Sequence, residues 1–228
     1  LAAVAPAGFF LTLEGGEGVG KSTLAKGLAA HFEAAGRRVL LTREPGGTPF
    51  AEKLRDLILS GEAKAAGPFA EALLFCAARI DHIDRIIRPA LEKGGVVICD
   101  RFADSTRAYQ GALGRMDQSV LTALEKVTLA GLRPDVTLML DLPAEEGLAR
   151  ASARRGAGAS DRFEAERIGF HRRLRQAFLD IAAAEPARCV VLDASLDPDE
   201  IRELALAACA AHGLEAGAPT KPLPEAGA

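Results

Sequence analysis

The chain has 228 residues, 49% of them hydrophobic and 26% charged, which is material for one domain with a real core and the balance of an ordinary globular protein. A formal net charge of −3 excludes a broad basic field for nucleic acid or acidic lipid, so any anion it binds must be caught by a local cluster. No apolar run approaches the ~18 residues of a membrane span, and no Lys or Arg stands before Lys21 to form the charged start of a secretory leader.

Five short aliphatic and β-branched runs follow in chain order: "FFLTLE" (9–14), "RVLLTR" (38–43), "GVVICD" (95–100), "VTLMLDL" (136–142) and "CVVLDA" (189–194). Near-continuous apolar strands of this kind are buried on both faces. Helical patterns separate them, at 21–35, 50–60, 69–92, 117–130, 144–155, 163–184 and 198–211. The alternation predicts an α/β fold, a mostly parallel sheet with helices on both sides and ligands at the carboxyl ends of its strands. One domain is expected over 1–212, followed by a proline-containing, disordered tail at 213–228. Cys76, Cys99, Cys189 and Cys209 contain no CxxC pair and are expected as buried free thiols, which suits a reducing cytoplasm.

The most specific local signal is G-G-E-G-V-G-K-S, residues 15–22, between the first strand and the first helix. It fits G-x-x-x-x-G-K-[ST]. Its glycines permit turns that aim several N–H groups into one concavity, and the helix behind adds its positive end. Lys21 is a point charge for the β and γ phosphates, and the Ser22 hydroxyl suits Mg²⁺. The pattern implies a bound nucleoside triphosphate. A small-molecule kinase, a GTPase switch and an ATP-driven motor all use such a loop. The chain contains no Asn, so the Asn-Lys-x-Asp segment that reads guanine is absent, and nothing marks the partner surfaces of a motor.

A kinase also needs an acceptor pocket and a means of excluding water. After the second strand comes "TREPGGT" (42–48), in which Arg43 and Glu44 precede a turn at Pro45; this is either part of a pocket or a solvated turn with an incidental ion pair. Phe75 and Arg79 share a helical face, which is either a ring-and-donor site for a nucleobase or a core Phe beside a solvent Arg. Asp100 closes the third strand, where it would stand near the metal, and Arg101 follows in "DRFADSTRAYQG" (100–111). Arg150, Arg154, Arg155 and Arg162 surround Gly156 and Gly158 in a segment, about 150–163, that reads as a lid over the phosphates or as a solvated basic loop.

Together "EGGEGVGKST", "TREPGGT", "LLFCAARIDHI", "DRFADSTRAYQG" and "RPDVTLMLDLP" resemble the bacterial thymidylate kinase (dTMP kinase) family over roughly Phe9 to Ala211. The resemblance implies a P-loop kinase fold with a five-stranded parallel sheet, a cytoplasmic homodimer, and transfer of the γ-phosphate of ATP to dTMP with Mg²⁺, giving dTDP and ADP. It implies that Gly15, Gly16, Glu17, Gly18, Val19, Gly20, Lys21, Ser22 and Thr23 cradle ATP, with Ser22 and Asp100 at the metal. It places Glu44 and Pro45 beside dTMP, Phe75 stacked on thymine, Arg79 on an exocyclic carbonyl and Arg101 on the dTMP phosphate. Ser105, Thr106, Tyr109 and Gln110 line the sugar and base, and the Tyr109 ring crowds a ribose 2′-hydroxyl. The loop interior holds no Arg, so the chain is similar to the members that carry the catalytic arginine in the lid, Arg154 first and Arg155 second. Another monophosphate acceptor, dUMP included, and a non-catalytic nucleotide-binding regulator stay open on sequence alone.

Overall fold

A computed structural model describes residues 8–114, 116–155, 163–164 and 166–214. Its five strands are β1 (Phe9–Gly15), β2 (Val39–Arg43), β3 (Val96–Asp100), β4 (Val136–Asp141) and β5 (Cys189–Asp193). All are parallel, in the order β2-β3-β1-β4-β5. The observed strands agree with the apolar runs to within a residue at each end. β1 lies at the centre and is buried along its whole length.

Period-two alternation splits β1 between two cores. Phe9, Leu11 and Leu13 face α1 (Lys21–Ala34) and α9 (Pro198–Ala211), where they pack with Leu24, Leu28, Phe32, Ile201 and Cys209. Phe10 faces the other way, onto Ile83, Ile87, Val97 and Phe102. Thr12 and Glu14 share its side; the Thr12 hydroxyl meets that of Thr137 at 2.6 Å. All four cysteines are buried and free. Among the described residues no helix is long and apolar enough to cross a membrane.

The other helices are α2 (Pro49–Leu59), α3 (Gly67–His82), α4 (Arg88–Glu92), α5 (Ala103–Thr106), α6 (Gln118–Leu129), α7 (Ala144–Arg155) and α8 (Ile168–Ala184). The helix expected over 69–92 is three pieces: α3, a π-helical turn at Ile83–Ile87, and α4. Pro89 has no N–H to give to the preceding turn, and the ladder widens there. A helical run absent from the sequence reading covers α5 and a π-helical turn at Arg107–Leu113. Its residues carry no clear 3.6-residue apolar period, and tertiary contacts hold it, as described below. The helix expected from 163 starts at Ile168.

Two residues of the stretch expected as a tail from 213 belong to the fold. Gly213, at φ 93°, ends α9 by donating to the Ala210 carbonyl, and the Leu214 N–H reaches Cys209 O at 2.9 Å. This closing pattern satisfies the last carbonyls of the helix and presses Leu214 into the α1–α9 core. The remainder of that expected tail, 215–228, lies outside the described residues.

Candidate active site

The register brings Leu13 of β1 and Arg43 of β2 level with Asp100 of β3, so three strand ends open at one edge. A cavity of about 280 Å³ lies there. Glu17, Gly18, Val19, Gly20, Lys21, Ser22 and Thr23 line one wall. Glu44, Pro45, Phe75, Arg79, Asp100, Arg101, Ser105, Thr106, Tyr109 and Gln110 line the rest, and Arg154 stands at the rim. Gly15 and Gly16 lie behind, turning their carbonyls inward. The structure thus gathers in one place the residues expected in the phosphate loop, at the metal and in the acceptor pocket, together with Arg154 of the expected lid. Of the other arginines expected in the lid, the side chain of Arg155 and the whole of Arg162 lie outside the described residues.

The phosphate-loop wall is built from backbone. Gly18, at φ 69°, passes so close to α7 that a Cβ would sit 1.9 Å from the Gly147 carbonyl oxygen. Gly20, at φ 97°, begins α1 without a side-chain cap, which leaves the first N–H groups of a 14-residue helix facing the cavity. Lys21 folds back and donates to Gly16 O at 2.6 Å and Gly15 O at 3.2 Å. Burial, reinforced by Arg101, pulls its ammonium down to about 8 against the opposing pull of Glu17, Asp100 and Glu14. The Ser22 hydroxyl donates to Asp100 Oδ2 at 2.6 Å. Among the described residues no three His, Cys, Asp or Glu side chains form a metal cage. One hydroxyl and one carboxylate suit Mg²⁺, which takes few protein oxygens and completes its shell with phosphate and water.

The facing wall is built from charged side chains. Arg101 sits at φ 70°, rare for a residue with a Cβ. Its Nη2 donates to Glu17 Oε1 at 2.6 Å, and Nη1 donates to Gly15 O at 3.0 Å and Ser105 Oγ at 3.3 Å. The Tyr109 hydroxyl donates to the same Glu17 oxygen at 3.0 Å. Burial pushes the Glu17 carboxyl up, but Arg101 and Lys21 outweigh it and hold the group at about 2. Phe163 packs edge-on against the Tyr109 ring at 5.1 Å.

Arg79 is 4% exposed, which rules out the solvent-arginine alternative. Its Nε donates to Glu44 Oε2 at 2.6 Å, and Nη2 donates to the Phe102 carbonyl and the Thr106 hydroxyl. Those bonds engage Nε and Nη2, not Nη1; the guanidinium lies 5.2 Å over the Phe102 ring, and Phe75 lines the same cavity. The alternative of a solvated turn with an incidental ion pair does not hold for Glu44: Arg43 bonds Glu52 at the surface, and Glu44 turns inward to Arg79 and His82. His82 is fully buried and bridges Glu44 Oε1 (3.0 Å) and the Thr42 hydroxyl (2.8 Å). Gln110 donates to Glu71 at 3.2 Å.

Sequence reasoning missed Glu14, His82, Glu71 and Arg55. Arg55 reaches the cavity by donating to the Pro45 carbonyl at 2.8 Å. Glu14 alone left a signal, a carboxylate ending an otherwise apolar buried strand. Arg150 is turned from the cavity onto Glu146 and the Ala194 carbonyl.

The thymidylate kinase family model matches residues 13–205. The chain is 56% identical over 214 residues to a thymidylate kinase of Nitrobacter winogradskyi, covering 94% of this chain and 93% of that one. It is 59% identical over 194 residues to one from a Bradyrhizobium strain, covering 85% and 86%. In structure it is similar to the thymidylate kinase of Ehrlichia chaffeensis, with a TM-score of 0.72 and 32% identity over 90% of this chain and 99% of that one.

Proposed function

The chain belongs to the thymidylate kinase family, and from that premise we propose how its cavity passes the γ-phosphate of ATP to dTMP. The reading rests on one observation above all: an uncapped helix behind a glycine loop faces Arg101 across a single cavity that also holds Phe75 and Arg79. That geometry has room for a donor phosphate chain on one wall and a second nucleotide on the other.

ATP lies with its β and γ phosphates against the N–H groups of Gly18 to Ser22, and Lys21 leaves its two carbonyl partners for the phosphates. Ser22 and Asp100 would hold Mg²⁺, which would neutralise charge on the phosphate oxygens. The dTMP base stacks on Phe75 and meets Arg79 Nη1. Arg101 exchanges part of its bonding to Glu17 and Gly15 for the dTMP phosphate. The attacking phosphate oxygen is already anionic, so no strong base is needed, and positioning with charge neutralisation carries the in-line transfer. Tyr109, braced by Phe163 and Glu17, stands where a 2′-hydroxyl would fall. Arg154 swings from the rim onto the transferring phosphoryl group.

A homodimer goes with this reading. Phe69, Leu73 and Ile80 form an exposed apolar stripe along α3, a face that a second copy would cover; light scattering at twice the chain mass tests it. A cytoplasmic setting also fits, given four free thiols. The deciding experiment is ADP release from Mg²⁺-ATP with dTMP, dUMP, UMP, CMP, AMP or GMP as acceptor. Strong dependence on dTMP, weaker on dUMP and none on UMP is expected. Preference for another base overturns the Phe75–Arg79 reading, and acceptor-independent turnover overturns the kinase mechanism.

A further inference from the structure

Glu14 takes no part in the chemistry above, yet it is fully buried at the end of the central strand. The alternation of β1 turns it away from the α1 core and toward the segment that follows β3. Its two oxygens there meet three donors. Oε1 accepts from the Phe102 N–H at 2.7 Å and the Ser105 N–H at 3.1 Å, and Oε2 accepts from the Ser105 hydroxyl at 2.7 Å.

These are the groups that a helix start needs satisfied. Phe102 is the cap residue of α5 and has no side-chain oxygen for the job. In a capping box two residues of the helix itself close the N–H groups at the cap and three places on. Here one carboxylate, 88 and 91 positions away in sequence, closes both. The neighbouring Arg101 N–H is held by the Leu13 carbonyl at 2.9 Å. Two consecutive amides are thus fastened to β1, where Arg101 adopts a left-handed conformation that a residue with a Cβ keeps only when its surroundings impose it.

The second oxygen sets a direction. A serine hydroxyl has one proton, and Ser105 spends it on Glu14. Its lone pairs are then free to accept from Arg101 Nη1. The chain of donors runs from guanidinium to hydroxyl to carboxylate: the guanidinium can only donate, and the carboxylate draws the hydroxyl proton to the far side so that the oxygen presents its lone pairs to Arg101.

We infer that Glu14 is a positioning residue for the acceptor phosphate: it caps the helix after β3 and, through Ser105, aims the Arg101 guanidinium into the cavity. The inference rests on the reading of Arg101 as the ligand of the dTMP phosphate. It predicts a selective defect. Glu14→Gln keeps the size and one accepting oxygen, so the two backbone N–H groups stay satisfied. Its amide nitrogen, however, donates to Ser105, which reverses that link and leaves the hydroxyl proton without its acceptor, so the lone pairs are no longer aimed at Arg101.

The test is steady-state kinetics on Glu14→Gln, Arg101→Ala and the double variant, with both substrates varied. In Glu14→Gln, kcat/KM for dTMP falls about tenfold, as when one hydrogen bond to a charged group is lost. The KM for ATP stays within about twofold, and the double variant is no worse than Arg101→Ala to within about twofold. Multiplying losses in the double variant, or equal defects toward ATP and dTMP, overturn the inference. An Arg101→Ala enzyme with unaltered dTMP kinetics overturns the underlying reading instead, and the inference with it. If Glu14→Gln does not fold, Ser105→Ala takes its place. It spares both backbone contacts; a dTMP-selective loss that vanishes in the Arg101→Ala background supports the inference, whereas intact dTMP kinetics, or a loss that persists in that background as a direct sugar contact would, overturn it.

Discussion

The phosphate loop is made almost wholly of backbone, whereas the facing wall, from Glu44 through Arg79 to Arg101, is made of side chains that hold one another. Across the first wall the working groups are N–H bonds oriented by glycine dihedrals over eight consecutive residues. Across the second they are buried or half-buried polar side chains whose partners stand tens of positions apart: Arg79 with Glu44, Arg101 with Glu17, Ser105 with Glu14. The difference teaches where chemistry and stability are separable. On the loop side, a side chain added for catalysis can be removed without disturbing the fold. On the facing side, each charge is also part of the support, because removing one ion leaves its buried partner uncompensated.

Five measurements press on that contrast. Lys21→Ala has the largest effect, a loss of kcat of about 10³-fold or more, as a charged donor to the transferring phosphates is lost, with the melting temperature near wild type by circular dichroism. A collapse of the fold in this variant breaks the contrast. Arg154→Ala, at the exposed rim, lowers kcat by ~10³-fold with little change in KM for dTMP and none in melting temperature; an unchanged kcat moves the role to another lid arginine.

Glu44→Gln belongs to the other wall and destabilises the protein by about 3 kcal/mol in urea, the cost of leaving one half of a buried pair. A midpoint equal to wild type says that the wall is not self-supporting. Arg79→Ala weakens dTMP binding by about 1–3 kcal/mol in calorimetry, the range for a buried polar partner lost; unchanged affinity removes Arg79 from the base site.

The smallest effect is in the pH profile of stability, and its sign differs between two carboxylates. Burial first, then the like charge of Asp104, raises Glu14 from 4.5 to about 7, against the pull of Arg101 and the bonds from Ser105 and Phe102. The folded state therefore holds a proton that the unfolded chain has already lost between those values. Stability present below 4.5 declines as pH rises toward 7. Glu17, held at about 2, contributes above 4.5 and loses its contribution as pH falls toward 2. Melting curves of wild type and Glu14→Gln between pH 4.5 and 8 are expected to differ in slope, the variant being flatter. Parallel profiles refute the raised Glu14.

The sequence alone determined the sheet, because strands covered by helices are largely apolar and all five runs are; burial on both faces, expected of all five, holds for β1, β3 and β4, while the edge strands β2 and β5 leave Leu41 and Val191 exposed. It also determined the phosphate loop, since the glycines, lysine and serine act within one turn of chain and their spacing is their geometry. The cavity membership of Phe75, Arg79, Asp100, Arg101 and Tyr109 was legible from motifs that end strands or share a helical face. Only the tertiary structure decided what those residues hold. That Glu44 leaves its neighbour Arg43 for Arg79 and His82, and that the helix at Ala103–Thr106 is capped by a carboxylate 88 residues earlier, depends on which strand ends meet. A buried charge is fixed by its nearest partner in space, and sequence spacing does not carry that distance.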